Sequence, residues 1–310
     1  MSAAVLDNVR WETTRPTVSV LIPFLRDDPA DLLTRLNAEA PALDGAVEIV
    51  LLDDGTGDPV LTTRLAAQVR ALTLPARLIS LSANEGRAVG RNRLASAARG
   101  KSLLFLDSDM RPDQPGFLQC WSDLAATENP AVAFGGFSLL QAPDEARFAV
   151  HRAMAAKSEC VAAPDRAKQP EKYVYTSNLL VRRDVFEAEA FDESFAGWGW
   201  EDVEWGLRVA RRWPVRHIDN TATHLGLDAA PALLGKWEQS AANFARVVAA
   251  HGEVVRHYPS YRAARALRRA PFRPAWRPAL KALALAAWVP LDLRAVAARL
   301  YRAALYAEVV

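Results

Sequence analysis

The chain has 310 residues, 51% of them hydrophobic and 24% charged, with a formal net charge of +2. Such a composition can bury a substantial core, enough for one large domain or two modest ones, and it excludes a disordered chain. No charged segment leading into an apolar one precedes Arg10-Trp11-Glu12, and no uncharged apolar stretch reaches the ~18–20 residues of a bilayer span, so a cytoplasmic protein is expected.

Val18 to Pro23 is a short β-branched run stopped by proline, and Asp31 to Leu36 follows with helical spacing. Val47 to Leu52 is a second apolar run, ending in Asp53-Asp54-Gly55-Thr56, and Val60 to Leu72 again has helical spacing. Arg77 to Leu81 is a third strand; Asn84-Glu85-Gly86 turns the chain into a helix from Val89 to Ala98, and Ser102 to Leu106 is a fourth strand. Alternating strands and helices of this length predict right-handed crossovers and an α/β fold with a mostly parallel sheet flanked by helices. Further on, Ala131 to Leu140 and Tyr173 to Arg182 read as strands, separated by a polar, proline-bearing stretch lying over a site. A helix is expected from Glu201 to Arg212, a short strand from Val215 to Asp219, His224 in a loop, and a further helix with Leu233, Trp237 and Phe244 on one face.

The chemistry-bearing residues gather at strand ends. Leu103 to Leu106 runs directly into Asp107-Ser108-Asp109, delivering two carboxylates to the edge where open α/β sheets hold ligands and offering oxygen atoms to a divalent metal. A second acidic pair, Glu201-Asp202, follows Gly197-Trp198-Gly199-Trp200. Together they indicate a metal-dependent transfer enzyme. The glycine fingerprints of dinucleotide-binding and P-loop proteins are absent, which argues against those classes.

In Val18 to Pro23, Leu52 to Thr56, Asn84 to Gly86 with Gly90 to Asn92, Asp107 to Asp109, Ser177 to Arg182 and Gly197 to Asp202, the sequence resembles a GT-A fold glycosyltransferase. The N-terminal half is similar to family 2 enzymes, and Ser177 to Arg212 to a galactosyltransferase-type C-terminal module. The resemblance spans about residues 15–230 and implies a nucleotide-sugar donor, a UDP-sugar being favoured. It implies that Pro23, Asp53, Asp54, Asn84, Arg91 and Asp107 lie on the nucleotide side, with Asp53 accepting from the uracil ring; a turn-stabilising role for Asp53 before Gly55 is the alternative. Asp107 would face ribose and metal, Asp109 would bind the metal directly, and His224 would be the third ligand. Two carboxylates and an imidazole suit Mn²⁺ better than Mg²⁺. Asp202 resembles the general base; it opens a helix, whose dipole favours the carboxylate form. Glu201, Asn178, Trp198, Gly199 and Trp200 would contact the sugar or the acceptor, the tryptophan rings suiting the apolar faces of sugars. Otherwise Glu201 and Asp202 merely decorate a helix end. The family 2 half favours inversion by a single displacement, in cell-surface polysaccharide or glycolipid synthesis.

Residues 251–310 carry 11 Lys and Arg against 3 Asp and Glu, a surplus of eight positive charges, while residues 1–250 carry 27 against 33. A catalytic domain over 1–250 and a basic amphipathic helical extension over 251–310 are therefore expected. The extension suits the surface of an anionic membrane bearing a lipid-linked or saccharide acceptor, or else packs on the catalytic domain. No nucleic-acid partner is expected. Cys120 and Cys160 lack any zinc-like spacing and read as reduced packing residues. Two rival functions share some of these features. A non-catalytic nucleotide-sugar-binding protein would not need Asp202, and a nucleotidyltransferase would carry a glycine-rich phosphate loop.

Overall fold

A computed structural model describes residues 3–310. Its central sheet is built from β1 (Ala3–Asp7), β2 (Val18–Phe24), β3 (Val47–Asp53), β4 (Ala76–Leu81) and β5 (Ser102–Leu106), with three later strands described below. A small second sheet contains β6 (Met110–Pro112). The later strands are β7 (Val132–Phe134), β8 (Phe137–Ser138), β9 (Asn178–Arg182), β10 (Val215–His217) and β11 (Ala222–His224). The large sheet has the order β1-β4-β3-β2-β5-β9-β7-β10 and the small one β6-β11-β8. The centre, β4-β3-β2-β5, is parallel, as expected; β1 on β4, and β9 on both β5 and β7, are antiparallel.

Both faces of the sheet are covered, which is why its strands are continuous apolar runs rather than alternating ones. Val20, Ile22, Ile49, Leu51, Leu104 and Leu106 point to one core, shared with the helices Ala30–Ala38, Pro59–Ala71 and Phe117–Thr127. Leu21, Val50, Leu52, Leu103 and Phe105 point to the other, under the helices Arg87–Ala97 and Glu201–Val209. Truncating any of these leucines to alanine would cost about 2–5 kcal/mol.

After β2 the chain adds β3 and β4 on one side, then returns to add β5 on the other. The order reverses between β2 and β5, and it is beyond the carboxyl ends of the strands at such a reversal that ligands of open α/β sheets bind. Asp107 to Asp109 leave β5 at this point.

Several local expectations are corrected. The strand expected over 131–140 is split between the two sheets, because Gly135-Gly136 turns the chain between β7 and β8. The strand expected from Tyr173 begins only at Asn178, since Pro170–Tyr173 forms a 3-10 turn. β1 and β6 have no clear mark in the sequence pattern, and His224 belongs to β11 rather than to a loop.

The helix Ala230–Val255, kinked at His251, runs across residue 250. Its Leu233, Trp237, Phe244 and Val247 share a third core with Ala297, Tyr301 and Tyr306 of the last helix, Leu291–Tyr306. The tail is thus packed through that helix, while Phe272 and Trp288 remain 82% and 86% exposed. Among the described residues, no helix is long and apolar enough to cross a membrane.

Candidate active site

The two turns expected on the nucleotide side, after β3 and before the helix Arg87–Ala97, are tied to each other through backbone groups. Asp53 closes β3, nearly buried, and its Oδ1 accepts from the Thr56 N–H at 2.8 Å, the turn-stabilising role. Asp54 reaches across to the loop before the helix Arg87–Ala97, accepting from the N–H groups of Glu85 at 2.8 Å and Gly86 at 3.2 Å. Burial raises its pKa against the pull of those two donors. The two turns touch at Gly55, where φ is +80° and a Cβ would fall 2.4 Å from the Ala83 backbone, so only glycine fits. Asn84 is exposed at the lip of this loop, and Pro23 is half-buried near the end of β2.

Arg91 is the residue on which the site is assembled. A helix arginine is usually solvated, yet Arg91 is only 2% exposed. Its guanidinium reaches Asp107 Oδ1 at 3.1 Å and Glu201 Oε1 at 3.2 Å, joining the end of β5 to the start of the helix Glu201–Val209. Burial opposes its charge, but Asp107, Glu201 and Asp202 outweigh that and keep it protonated. Its contacts are thus with protein carboxylates, and Glu201 is positioned by Arg91.

Asp202 sits beside this pair and accepts from the Val203 N–H at 2.8 Å. Its pKa is pushed up to about 7, first by burial and then by the neighbouring Glu201, against Arg91 and Arg87. The helix-end dipole favours the opposite direction. Desolvation outweighs it here, because a dipole contribution is worth only about 0.3–1 kcal/mol at a surface.

Asp109 and His224 meet because of strand register. β11 pairs antiparallel with β6 so that His224 lies opposite Met110, and the Leu225 N–H donates to the Asp109 carbonyl at 2.9 Å. His224 Nε2 then stands 3.2 Å from Asp109 Oδ2. Burial alone would raise the Asp109 carboxyl and lower the imidazole; their mutual attraction wins, holding Asp109 below its ordinary range and lifting His224 to about 9. Asp109 Oδ1 is buried without a hydrogen-bond partner. The Asp109 carboxylate packs directly on Gly226: a Cβ there would lie 1.9 Å from Asp109 Oδ2, so the absence of a side chain is what lets the carboxylate stand beside His224. An unpartnered anionic oxygen and an imidazole nitrogen side by side form a donor set that fits a divalent cation. Among the described residues, the metal-compatible group that closes within 4.8 Å is His151, Glu159 and His224. Neither carboxylate of the Asp-Ser-Asp turn is part of that group: Asp107 is drawn to Arg91, and Asp109 meets it only through His224.

Sequence reasoning misses His151, Glu159 and Asp27. Asp27 lies on the exposed loop after β2, where partial desolvation and then Asp109 raise its pKa; its position just past a strand end is the available signal. His151 and Glu159 arrive on and after the helix Ala149–Ser158, with no motif to mark them.

Two residues expected to touch sugar or acceptor serve the fold instead. Asn178 is 0% exposed, and its Nδ2 donates to the carbonyls of Gly136 at 3.1 Å and Asn220 at 2.8 Å, tying β9 to the β7–β8 turn. Trp200 packs its ring on Phe244 and Tyr306, at centroid distances of 4.8 and 5.8 Å, and donates from Nε1 to the Tyr306 hydroxyl at 2.8 Å. It holds a left-handed φ of +77°, a conformation that tertiary contacts must impose on a bulky residue. Asn243 secures the same loop, donating to the carbonyls of Ala196 and Gly199 at 2.9 Å each. Trp198 is half-buried against the third core.

The sheet order, the crevice at its reversal and the two acidic pairs facing one another define a GT-A fold sugar transferase. The sequence profile of glycosyl transferase family 2 matches residues 19–189, more than half of the chain, and the chain belongs to that family: it is a glycosyltransferase. No curated protein sequence matches it. Among solved structures, the mannosyltransferase PcManGT from Pyrobaculum calidifontis, in complex with GDP-Man and Mn²⁺, superposes with a TM-score of 0.58 at 17% identity, covering 99% of this chain and 90% of that one. The 1-349 fragment of S. aureus TarS superposes at 0.54 and 16% identity, covering 94% and 90%. Its complex with UDP-GlcNAc gives 0.54 at 15% identity over the same shares. At these identities the likeness is one of fold.

Proposed function

We propose that the protein transfers a sugar from a nucleotide-sugar, a UDP-sugar being favoured, to an acceptor hydroxyl, with a divalent cation held by Asp109 and His224 and with Asp202 as base. The observation that carries this reading is Arg91, whose buried guanidinium spans Asp107 and Glu201 and so fixes the Asp-Ser-Asp turn and the Glu-Asp helix across one crevice. The solved relatives support it: TarS is described with UDP-GlcNAc, and PcManGT with GDP-Man and Mn²⁺.

Asp53 keeps Oδ2 for the base of the nucleotide while Oδ1 holds the Thr56 turn. Asp54 keeps the Asn84 loop closed over the same side, and Asp107 faces the ribose from its Arg91 anchor. A bound divalent cation neutralises charge developing on the diphosphate leaving group. The imidazole ligand favours Mn²⁺ over Mg²⁺. Asp202, with a pKa of about 7, takes the acceptor proton as the hydroxyl attacks, and a single displacement of this kind inverts the anomeric carbon. Trp198 and Gly199 border the acceptor side.

The tail supports an acceptor presented at the cytoplasmic face of a membrane, as in polysaccharide or glycolipid synthesis. Phe272, Trp276 and Trp288 are exposed among a surplus of eight positive charges, a pairing suited to an anionic lipid surface. The test is a panel of nucleotide-sugars and acceptors with Mn²⁺ present. Release of nucleoside diphosphate is expected; release of pyrophosphate would indicate a nucleotidyltransferase, and donor binding without turnover on any acceptor a binding protein.

A further inference from the structure

The cluster of His151, Glu159 and His224 contains two residues that have no part in the proposed transfer. One ligand-capable atom of each lies within 4.8 Å of the others, and His151 is buried. The Asp228 backbone N–H donates to His151 Nδ1 at 2.8 Å. A ring nitrogen that accepts a hydrogen bond carries no proton, so His151 is neutral with its hydrogen on Nε2. Nε2 is then a donor, and His151 offers the cation no lone pair without losing a proton. Both His151 nitrogens are thus committed, Nδ1 to the Asp228 N–H and Nε2 to its own hydrogen, whereas His224 turns Nε2 to Asp109 and can ligate once the cation displaces its proton; His224 and Glu159 are left as ligands, and His151 as the group that holds one of them.

Charge points the same way. Asp109 and His224 supply one negative charge to a doubly charged ion, and the other carboxylate of the Asp-Ser-Asp turn, Asp107, is drawn to Arg91 at 3.1 Å. We propose that Glu159 is a further ligand of the cation, its carboxylate oriented by the Nε2–H of His151, so that the metal is held from three separate segments: the turn after β5, the end of β11, and the residue that caps the helix Ala149–Ser158. Hydrogen-bonded carboxylate ligands of this kind are the usual arrangement around protein-bound metals. The cation would then tie this helix to the sheet. This inference rests on the assignment of the metal to Asp109 and His224.

Mn²⁺ binding to the full-length protein, followed by electron paramagnetic resonance without any donor or acceptor, tests it. Glu159→Gln should raise the Mn²⁺ Kd at least about tenfold, and His151→Phe by about 10-fold, in the range seen when the support of a ligand is removed. Glu159→Asp should retain part of the affinity, which guards against a folding defect in the Gln variant; melting in chelator should match the wild type for each variant. An unchanged Kd in Glu159→Gln, with binding abolished in Asp109→Asn, would overturn the role of Glu159 and leave the metal site standing. Mn²⁺ binding that survives Asp109→Asn would overturn the site itself, and this inference with it.

Discussion

The raised pKa of Asp202 links catalysis to stability in a way that one substitution can separate. Burial and Glu201 lift the carboxyl from its ordinary 3.8 to about 7. In the proposed role of base it must be ionised, so kcat should rise about tenfold per pH unit below 7 and level off above about 8. Asp202→Asn should lower transfer by about 10²–10⁴-fold, leave donor binding unchanged and abolish that acidic limb. Stability should respond in the opposite sense. A carboxyl with a raised pKa binds its proton more tightly in the folded state, so between about pH 4 and 7 the native protein holds more protons than the unfolded one, and stability falls as pH rises through that window. A tenfold difference in proton affinity between the two states is worth about 1.4 kcal/mol, so the ionised Asp202 costs the fold a few kcal/mol above about pH 7. Asp202→Asn should therefore melt higher than the wild type at about pH 8, with the difference vanishing near pH 4. Melting curves by circular dichroism across that range, beside pH-rate profiles, provide the assay. A variant that retains full transfer, or that melts lower than the wild type at the alkaline end, would refute the reasoning.

Other perturbations follow from single contacts. Gly226→Ala places a methyl group where Asp109 Oδ2 stands, so Mn²⁺ affinity by titration calorimetry should fall at least about tenfold while the fold persists. Tyr306→Phe leaves the Trp200 Nε1–H without its acceptor and takes one of two partners from the Ser240 hydroxyl, which should cost about 1–3 kcal/mol in denaturant unfolding and lower kcat more than it weakens donor binding. Deleting the tail would remove Tyr301 and Tyr306 from the third core, so membrane binding is better tested by Phe272→Ser with Trp288→Ser in the full chain. Wild type should co-sediment with anionic vesicles at low salt and release as salt shortens the Debye length, and the double variant should bind more weakly; indifference of the wild type to such vesicles would refute a lipid-facing tail.

What the sequence determined by itself is local. The apolar runs of β2, β3 and β5 are long enough, and apolar enough on both faces, to be central strands in any packing, and the carboxylates that follow them must emerge at the sheet's carboxyl edge. Asp53, Asp107, Asp109 and the Glu201-Asp202 pair are legible in that pattern because their position depends only on the element each one ends or begins. Tertiary structure decided what those side chains meet. Arg91 meets Glu201 across 110 residues, Trp200 meets Tyr306 across 106, and Asn178 meets Asn220 across 42. Nothing in the local spacing of a tryptophan or an asparagine distinguishes a ring that faces a sugar from one that faces a buried tyrosine, or an amide that meets ligand from one that closes two backbone carbonyls. The short segment ending at His224 carries no periodicity and so reads as a loop; pairing with β6 makes it a strand and sets it against Asp109. The pKa of Asp202 is likewise a tertiary outcome. The helix dipole is built into the chain's own geometry, whereas the desolvation that overrides it exists only once distant segments have closed around the carboxylate.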